Sequence, residues 1–316
     1  MIGLEAAHAA RETIGANLHR TPVLSVSSLD GRAGVEVLVK AEVLQKTGSF
    51  KPRGVLNRLA RLTPDERDRG VICISAGNHA QALAWAAARM GVSAAAVMPT
   101  TAQTSKIAAT KAYGAEVILR GESAVETHAD FPAIVAESGR VVIPPYDDPA
   151  IIAGQGTIGL ELLEDVPDLD AIVVPVGGGG LVGGIAAVVK EQRPSVRVIG
   201  VEPTGAACLH AALAEGHVVH LPRTPTIADG LAAPFVSERT LALATRYVDA
   251  VVQVSDEEIV EAMGILLERT KLLTEPGGAV AVAALLHRRC GLRPGQRAVA
   301  VLSGGNVDRA LLTSLL

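Results

Sequence analysis

Between Asp170 and Lys190 lie 19 uncharged residues, Ala171 to Val189, with Pro175 and four consecutive glycines, Gly177, Gly178, Gly179 and Gly180, near the middle. By hydropathy alone this stretch is long enough to span a bilayer. A spanning helix would be badly weakened there, because proline lacks a donor and glycine carries a large backbone entropy cost. The segment divides instead into a buried strand (Ala171–Val176), a glycine loop and a helix (about Leu181–Glu191). Backbone N–H groups of such a loop converge on an anion, and the helix N-terminus adds its positive dipole end. A tight strand-to-helix turn that binds nothing needs one or two glycines, not four. No Gly-Lys-Ser/Thr follows, and no dinucleotide fingerprint with a distal acid is clear. The loop therefore reads as a phosphate cup for a small cofactor.

The same alternation of strand and helix runs along the chain and predicts a parallel α/β architecture. Expected strands are Val35–Val39, Val71–Ile74, Ala94–Met98, Glu116–Leu119, Ala171–Val176, Val196–Val201 and Ala298–Leu302. Expected helices are Leu4–Asn17, Ala80–Met90, Ser105–Tyr113, Val125–Ser138, Ala150–Glu164 and Asp256–Thr270. There is no internal repeat or low-complexity linker. The turn at Arg67–Gly70 and the stretch Pro144–Pro149 mark the bounds of a smaller lobe.

Three further segments carry chemistry. Lys46 to Gly54 reads Lys-Thr-Gly-Ser-Phe-Lys-Pro-Arg-Gly. Lys51 follows the small residues Gly48 and Ser49, which leave room for a planar group, and precedes Pro52, which suits a first helical turn. A lysine on such an elbow can form a Schiff base with an aldehyde cofactor, although a lysine after a turn is by itself a surface charge. Ser75-Ala76-Gly77-Asn78-His79 joins an apolar strand to an alanine-rich helix, again an arrangement for an anion. Alone, Asn78 reads as an N-cap and His79 as a helix-start histidine. Ser303-Gly304-Gly305-Asn306 ends the last strand, where ligands of α/β sheets bind; alone it reads as a turn.

Composition excludes other classes. The net charge is −4, with no basic block, and aromatics make up 2% of the chain, which speaks against nucleic acid. The start, Met1-Ile2-Gly3-Leu4-Glu5, lacks a basic region and apolar core, so a cytoplasmic protein away from membranes is expected. Cys73, Cys208 and Cys290 have no metal-ligand spacing, and their odd number argues against a disulfide framework.

In combination, five motifs identify a resemblance. Lys46–Lys51, Ser75–His79, Ala-Gly-Gln-Gly-Thr (Ala153–Thr157), Pro175–Gly180 and Ser303–Asn306 occur in the order found in fold-type II pyridoxal-phosphate enzymes. The chain resembles their threonine/serine dehydratase and serine racemase group from about Arg20 to Asp308. The resemblance implies a two-lobed, tryptophan synthase β-like fold, with parallel-rich twisted sheets flanked by helices. Residues 1–67 plus 148–316 would form the large cofactor-binding domain and residues 68–147 a small mobile one. It implies that Lys51 carries the Schiff base, that Gly177, Gly178, Gly179 and Gly180 bind the phosphate, that Asn78 meets the 3-oxygen and Ser303 the pyridine nitrogen, and that Phe50 lies against the ring. Ser75, Gly77, Asn78 and His79 would hold the substrate carboxylate. The assembly would be a homodimer or homotetramer.

The implied activity is β-elimination of water from L-threonine or L-serine, giving a 2-oxo acid and ammonia. Serine rather than a carboxylate at the ring nitrogen leaves the ring a weaker electron sink, which favours prompt elimination. The alternatives are a dehydratase for 3-hydroxyaspartate or a hydroxyectoine-related compound, a serine racemase, and a pyridoxal-phosphate-binding protein without turnover. The racemase pattern places a serine at the position of Ala76, and a methyl group carries no proton. The group's divalent-cation site would use Glu202 and the carbonyl of Ala206, but Cys208 stands where a second acid is expected. A soft thiol replaces a hard carboxylate poorly for Mg²⁺ or Ca²⁺. Pro145-Tyr146 also departs from the group's His-Pro-aromatic arrangement. The chain ends at Leu316, too soon after Asp308 for a C-terminal regulatory domain, so isoleucine inhibition through such a unit is not expected.

Overall fold

The computed structural model describes residues 2–316. Ten strands form two sheets: β1 (Val23–Ser25), β2 (Glu36–Lys40), β3 (Val71–Ile74), β4 (Ala94–Met98), β5 (Glu116–Leu119), β6 (Val141–Val142), β7 (Ala171–Pro175), β8 (Arg197–Pro203), β9 (Ala250–Val254) and β10 (Arg297–Val301). The six-stranded sheet has the order β1-β2-β10-β7-β8-β9 and the four-stranded sheet β5-β4-β3-β6. Every pairing is parallel except β1 with β2. The four-stranded sheet is thus made from a continuous stretch between Val71 and Val142, and the larger sheet from the chain on either side of it.

Each expected strand forms, with ends shifted by up to two residues. The strands not foreseen are β1, β6 and β9. Two of them are only three and two residues long, and β9 is a half-buried strand at the sheet edge whose apolar run is broken by Gln253. Several helices also escape a period-based reading. Pro276–Leu286 is buried at every position, so it has no polar face to reveal its turn. No helix is long and apolar enough to cross a membrane.

The helix Lys51–Leu59 is held against the helix Pro149–Asp165, which in turn packs on Gly180–Gln192. Glycine makes both contacts close. A Cβ at Gly154 would lie 2.5 Å from the Arg53 carbonyl and 2.6 Å from Gly54 Cα, and a Cβ at Gly184 would strike the Ile152 carbonyl. Backbone therefore meets backbone, and the N-termini of the two outer helices are brought towards one cleft.

Beneath that contact lies a buried ion network. Arg53, 1% exposed, donates from Nε and Nη2 to the Glu42 carboxylate (both 2.8 Å) and from its Nη atoms to Glu161 (2.6 and 2.9 Å). Lys40, at the end of β2, pairs with Glu161 at 2.6 Å and donates to the Thr21 carbonyl at 2.7 Å. Burial opposes the charge on Arg53, but Glu42 and Glu161 outweigh it and raise its pKa. Burial likewise opposes ionisation of Glu161, yet Arg53 and Lys40 hold its carboxyl below the ordinary value.

Removing one member leaves its partners charged and dry. Arg53→Met should therefore lower unfolding stability by about 3–5 kcal/mol, measured as the shift of the urea transition at neutral pH. Because Glu161 is held below its ordinary value, its contribution is complete above about pH 4.3 and is lost as pH falls further. The wild-type and mutant stabilities should converge towards low pH.

Candidate active site

Lys51 opens its helix, with Pro52 in the first turn as expected. The chain before it is sewn to the end of β10. The Phe50 N–H donates to the Ser303 carbonyl at 3.0 Å, the Gly305 N–H donates to the Gly48 carbonyl at 2.9 Å, and Ser49 forms an antiparallel bridge with Gly304. Thr47 adopts φ 60°, a left-handed conformation rare for a β-branched residue, and Gly48 follows at φ 71°. These turns present Lys51 to the cleft between the sheets.

The half-buried Lys51 side chain donates from Nζ to the Pro145 carbonyl at 2.9 Å and lies 5.1 Å from the Phe50 ring centroid. Burial lowers the Lys51 ammonium to about 8, against the opposing pull of Glu275. An amine with that pKa is neutral in an appreciable fraction of molecules near neutrality, as a nucleophile or base must be. The next residue, Tyr146, covers the glycine loop: side chains at Gly178 or Gly180 would collide with it. Pro145 and Tyr146 thus join the lysine to the loop.

In that loop, Gly179 takes φ 86° and caps the helix Gly180–Gln192. A Cβ at Gly179 would lie 2.9 Å from that of Thr240. The first-turn N–H groups of this helix have no intrahelical acceptor, and they form the positive end of its dipole. Cys208 Sγ, 3.6 Å away, donates to the Gly177 carbonyl on the loop's other side.

A second helix N-terminus belongs to Asn78–Met90, with Gly77 as its cap residue. Ser75 Oγ accepts from the Gly77 N–H at 3.2 Å, and Ala76 lies between them. The Asn78 amide is 2.6 Å from Glu275 Oε1, to which its Nδ2 donates. His79 follows with its side chain turned inward. Its imidazole is buried, with Nε2 2.8 Å from the Ile143 carbonyl, and burial followed by the nearby Lys51 charge lowers it to about 3. The neutral ring is packed inside the fold, so what this position offers a ligand is its first-turn N–H.

Ser303 is buried at the end of β10, with Oγ 3.4 Å from the Gly277 carbonyl. Beside it lies Glu275, which the sequence reading missed. Burial and then Asp229 push its carboxyl up to about 7, against the Asn78 hydrogen bond, Lys106 and Lys51. The one available signal was an acid before Pro276 at the start of a helix without charges.

The residues named for a cation site have partners within the protein. Glu202 is buried and accepts from the Leu209 N–H at 2.7 Å and the His210 N–H at 2.8 Å, capping the helix Cys208–Glu215. Ala206 is buried in the preceding turn, and no group of three metal-binding side chains occurs among the described residues. Both carboxylate oxygens of Glu202 are occupied by backbone donors.

Comparison with known proteins agrees with this geometry. An L-threonine ammonia-lyase of Thermotoga maritima is 43% identical over 316 residues, covering all of this chain and 78% of that protein. An L-threo-3-hydroxyaspartate ammonia-lyase of Saccharomyces cerevisiae is 40% identical, with 95% of this chain and 91% of that one covered. The solved structure of maize serine racemase superposes with a TM-score of 0.94 at 38% identity, over 99% of this chain and 96% of that one. Residues 15–304 match the family described as "Pyridoxal-phosphate dependent enzyme". With a lysine opening its helix after a glycine turn, its amine lowered by burial, and a family match over residues 15–304, the chain belongs to the pyridoxal-phosphate dependent enzymes.

Proposed function

We propose that this chain is an ammonia-lyase that converts L-threonine and L-serine to 2-oxo acids. The residues fit the cofactor on three grounds: the depressed amine of Lys51, a glycine loop packed too closely on Leu231, Tyr146 and Thr240 to carry side chains, and the buried, unpartnered hydroxyl of Ser49 two residues before Lys51. Gly177, Gly178, Gly179 and Gly180 would hold its phosphate with backbone N–H groups, Ser303 Oγ would serve the ring nitrogen, Asn78 Nδ2 the 3-oxygen, and Phe50 would lie against the ring. When bound, pyridoxal phosphate supplies an electrophilic carbon and an electron sink for the Cα substituents.

The protein supplies orientation and proton transfer. Ser75 and the N–H groups of Asn78 and His79 hold the substrate carboxylate at the helix N-terminus, where Gly77, whose own N–H donates to Ser75 Oγ, leaves open space. Lys51 Nζ would take the Cα proton and pass a proton to the departing Cβ hydroxyl, which leaves as water. The released enamine regains that water on hydrolysis and yields the 2-oxo acid and ammonia. Residues 68–147 close against residues 1–67 plus 148–316, with the Lys106–Asp229 ion pair joining the two sides at the mouth. The observation that carries elimination over inversion is Ala76, whose methyl group cannot exchange a proton with Cα. A dehydratase for 3-hydroxyaspartate is the second reading, favoured by the yeast relative's name at similar identity.

With L-serine as substrate, pyruvate should be the major product and D-serine a minor one, both quantified in the same reaction. D-serine in excess would overturn the assignment. Ala76→Ser should raise the D-serine to pyruvate ratio, because a positioned acid–base group contributes about 10²–10⁴-fold. A panel including L-threonine and 3-hydroxyaspartate separates the two dehydratase readings.

Borohydride reduction of the holoenzyme followed by peptide mapping should place the pyridoxyl mass on Lys51. Label chiefly on Lys46 would refute the site. The rate of cofactor capture by the apoprotein should rise with pH and level off above about 8, as the Lys51 amine loses its proton. With the thiol of Cys208 where a second carboxylate is expected, treatment with a chelator should leave kcat/KM and the melting temperature unchanged, whereas a loss restored by Mg²⁺ or Ca²⁺ would contradict this.

A further inference from the structure

Asn306 lies in the loop after β10 and reaches back to two segments remote in sequence. Its Nδ2 donates to the Thr47 carbonyl at 2.6 Å and to the Asn78 Oδ1 at 2.8 Å. Asn78 Nδ2 then donates to Glu275 Oε1 at 2.6 Å. The surroundings are tight. A Cβ at Gly48 would lie 2.6 Å from Asn306 Oδ1, and one at Gly304 would lie 2.5 Å from Glu275 Oε1 and 3.0 Å from Asn78 Nδ2.

The direction of this chain is fixed at its Thr47 end. A backbone carbonyl only accepts, so Asn306 must turn its NH₂ towards Thr47. The second hydrogen of that NH₂ then requires the carbonyl oxygen of Asn78, not its nitrogen. Asn78 must therefore point its own NH₂ towards Glu275 and the cleft. Flipping either amide sets oxygen against oxygen at 2.6 to 2.8 Å. An NH₂ has two hydrogens, so Asn78 keeps one after serving Glu275. Without Asn306, the Asn78 amide could rotate and present an acceptor to the cofactor's anionic oxygen.

We propose that Asn306 is a positioning residue, which sets the amide of Asn78 so that a donor faces the 3-oxygen of the cofactor. The inference rests on the reading of Asn78 given above. Asn306 also ties the left-handed turn at Thr47, so the loop that presents Lys51 and the amide that meets the ring are set by one side chain.

The test is a double-mutant cycle read by cofactor binding. Wild type, Asn306→Asp, Asn78→Ala and the double mutant are stripped of cofactor and titrated with pyridoxal 5′-phosphate, following the visible absorbance band and its pH dependence. Asn306→Asp keeps the shape but offers only acceptors, so it draws the Asn78 NH₂ away from the cleft. It should weaken binding about tenfold, the scale of one hydrogen bond to a charged group, and shift the band. In the Asn78→Ala background the same substitution should have little effect. Asn306→Ala, which removes the constraint without adding charge, should weaken binding less than Asn306→Asp and keeps the test available if the aspartate variant does not fold.

Wild-type affinity and spectrum in both Asn306 variants, alongside a loss in Asn78→Ala, would overturn the proposal alone. An equal loss from Asn306→Asp with and without Asn78 would also overturn it, since the effect would then be structural. Unchanged binding in Asn78→Ala would overturn the reading of Asn78 and the proposal with it.

Discussion

The placement of Lys51 depends on the charge network around Arg53, two residues further along the same helix. Arg53 is tied to Glu42 at the end of the β2 segment and to Glu161 on the helix Pro149–Asp165, and Glu161 also holds Lys40. Such ions are costly to bury and remain only because each has a partner with good geometry. The consequence is directional. A greasy contact would let the helix slide, whereas a guanidinium with two bidentate carboxylate partners fixes its rotation and register. The elbow preceding it can then hold Thr47 at a positive φ, because both sides of that turn are anchored.

Glycine supplies the complementary part. Close approach at Gly54, Gly154 and Gly184 brings three helices together with little side-chain volume between them. Their N-terminal ends, with the lysine on one and the glycine loop on another, therefore open on the same cleft. Tyr146 fills the remaining gap, stacked over Gly178 and Gly180 while Pro145 accepts from Lys51. The departure from the group's usual wall thus combines the packing of Tyr146 on the loop with a hydrogen bond from the lysine to the Pro145 carbonyl.

The electrostatics of the cleft follow from who is buried with whom. Lys51 and Glu275 are both driven towards neutrality by loss of water, although each favours the other's charge. His79 is driven the same way and lies neutral among apolar side chains. Glu202, the remaining buried acid near the loop, is satisfied by two backbone donors and links the helix Cys208–Glu215 to the sheet end beside Gly177. Acids that look like ligands in a sequence can thus serve as helix caps.

By itself the sequence determined the parallel α/β alternation, the break at the four glycines, and a lysine set on a turn before Pro52. These are local properties: hydrophobic period, the φ range of glycine and the ring of proline act within a few residues. Tertiary structure decided the rest. The contacts of Asn78 with Glu275 and of Asn306 with Thr47 join residues 197 and 259 positions apart, and no local spacing encodes which distant loop arrives beside which. The same holds for the backbone donors that Glu202 accepts from and for the Ile143 carbonyl beside the His79 ring. The short strands β1 and β6 and the wholly buried helix Pro276–Leu286 exist because neighbours complete their hydrogen bonds and cover their surfaces, which only the assembled fold provides.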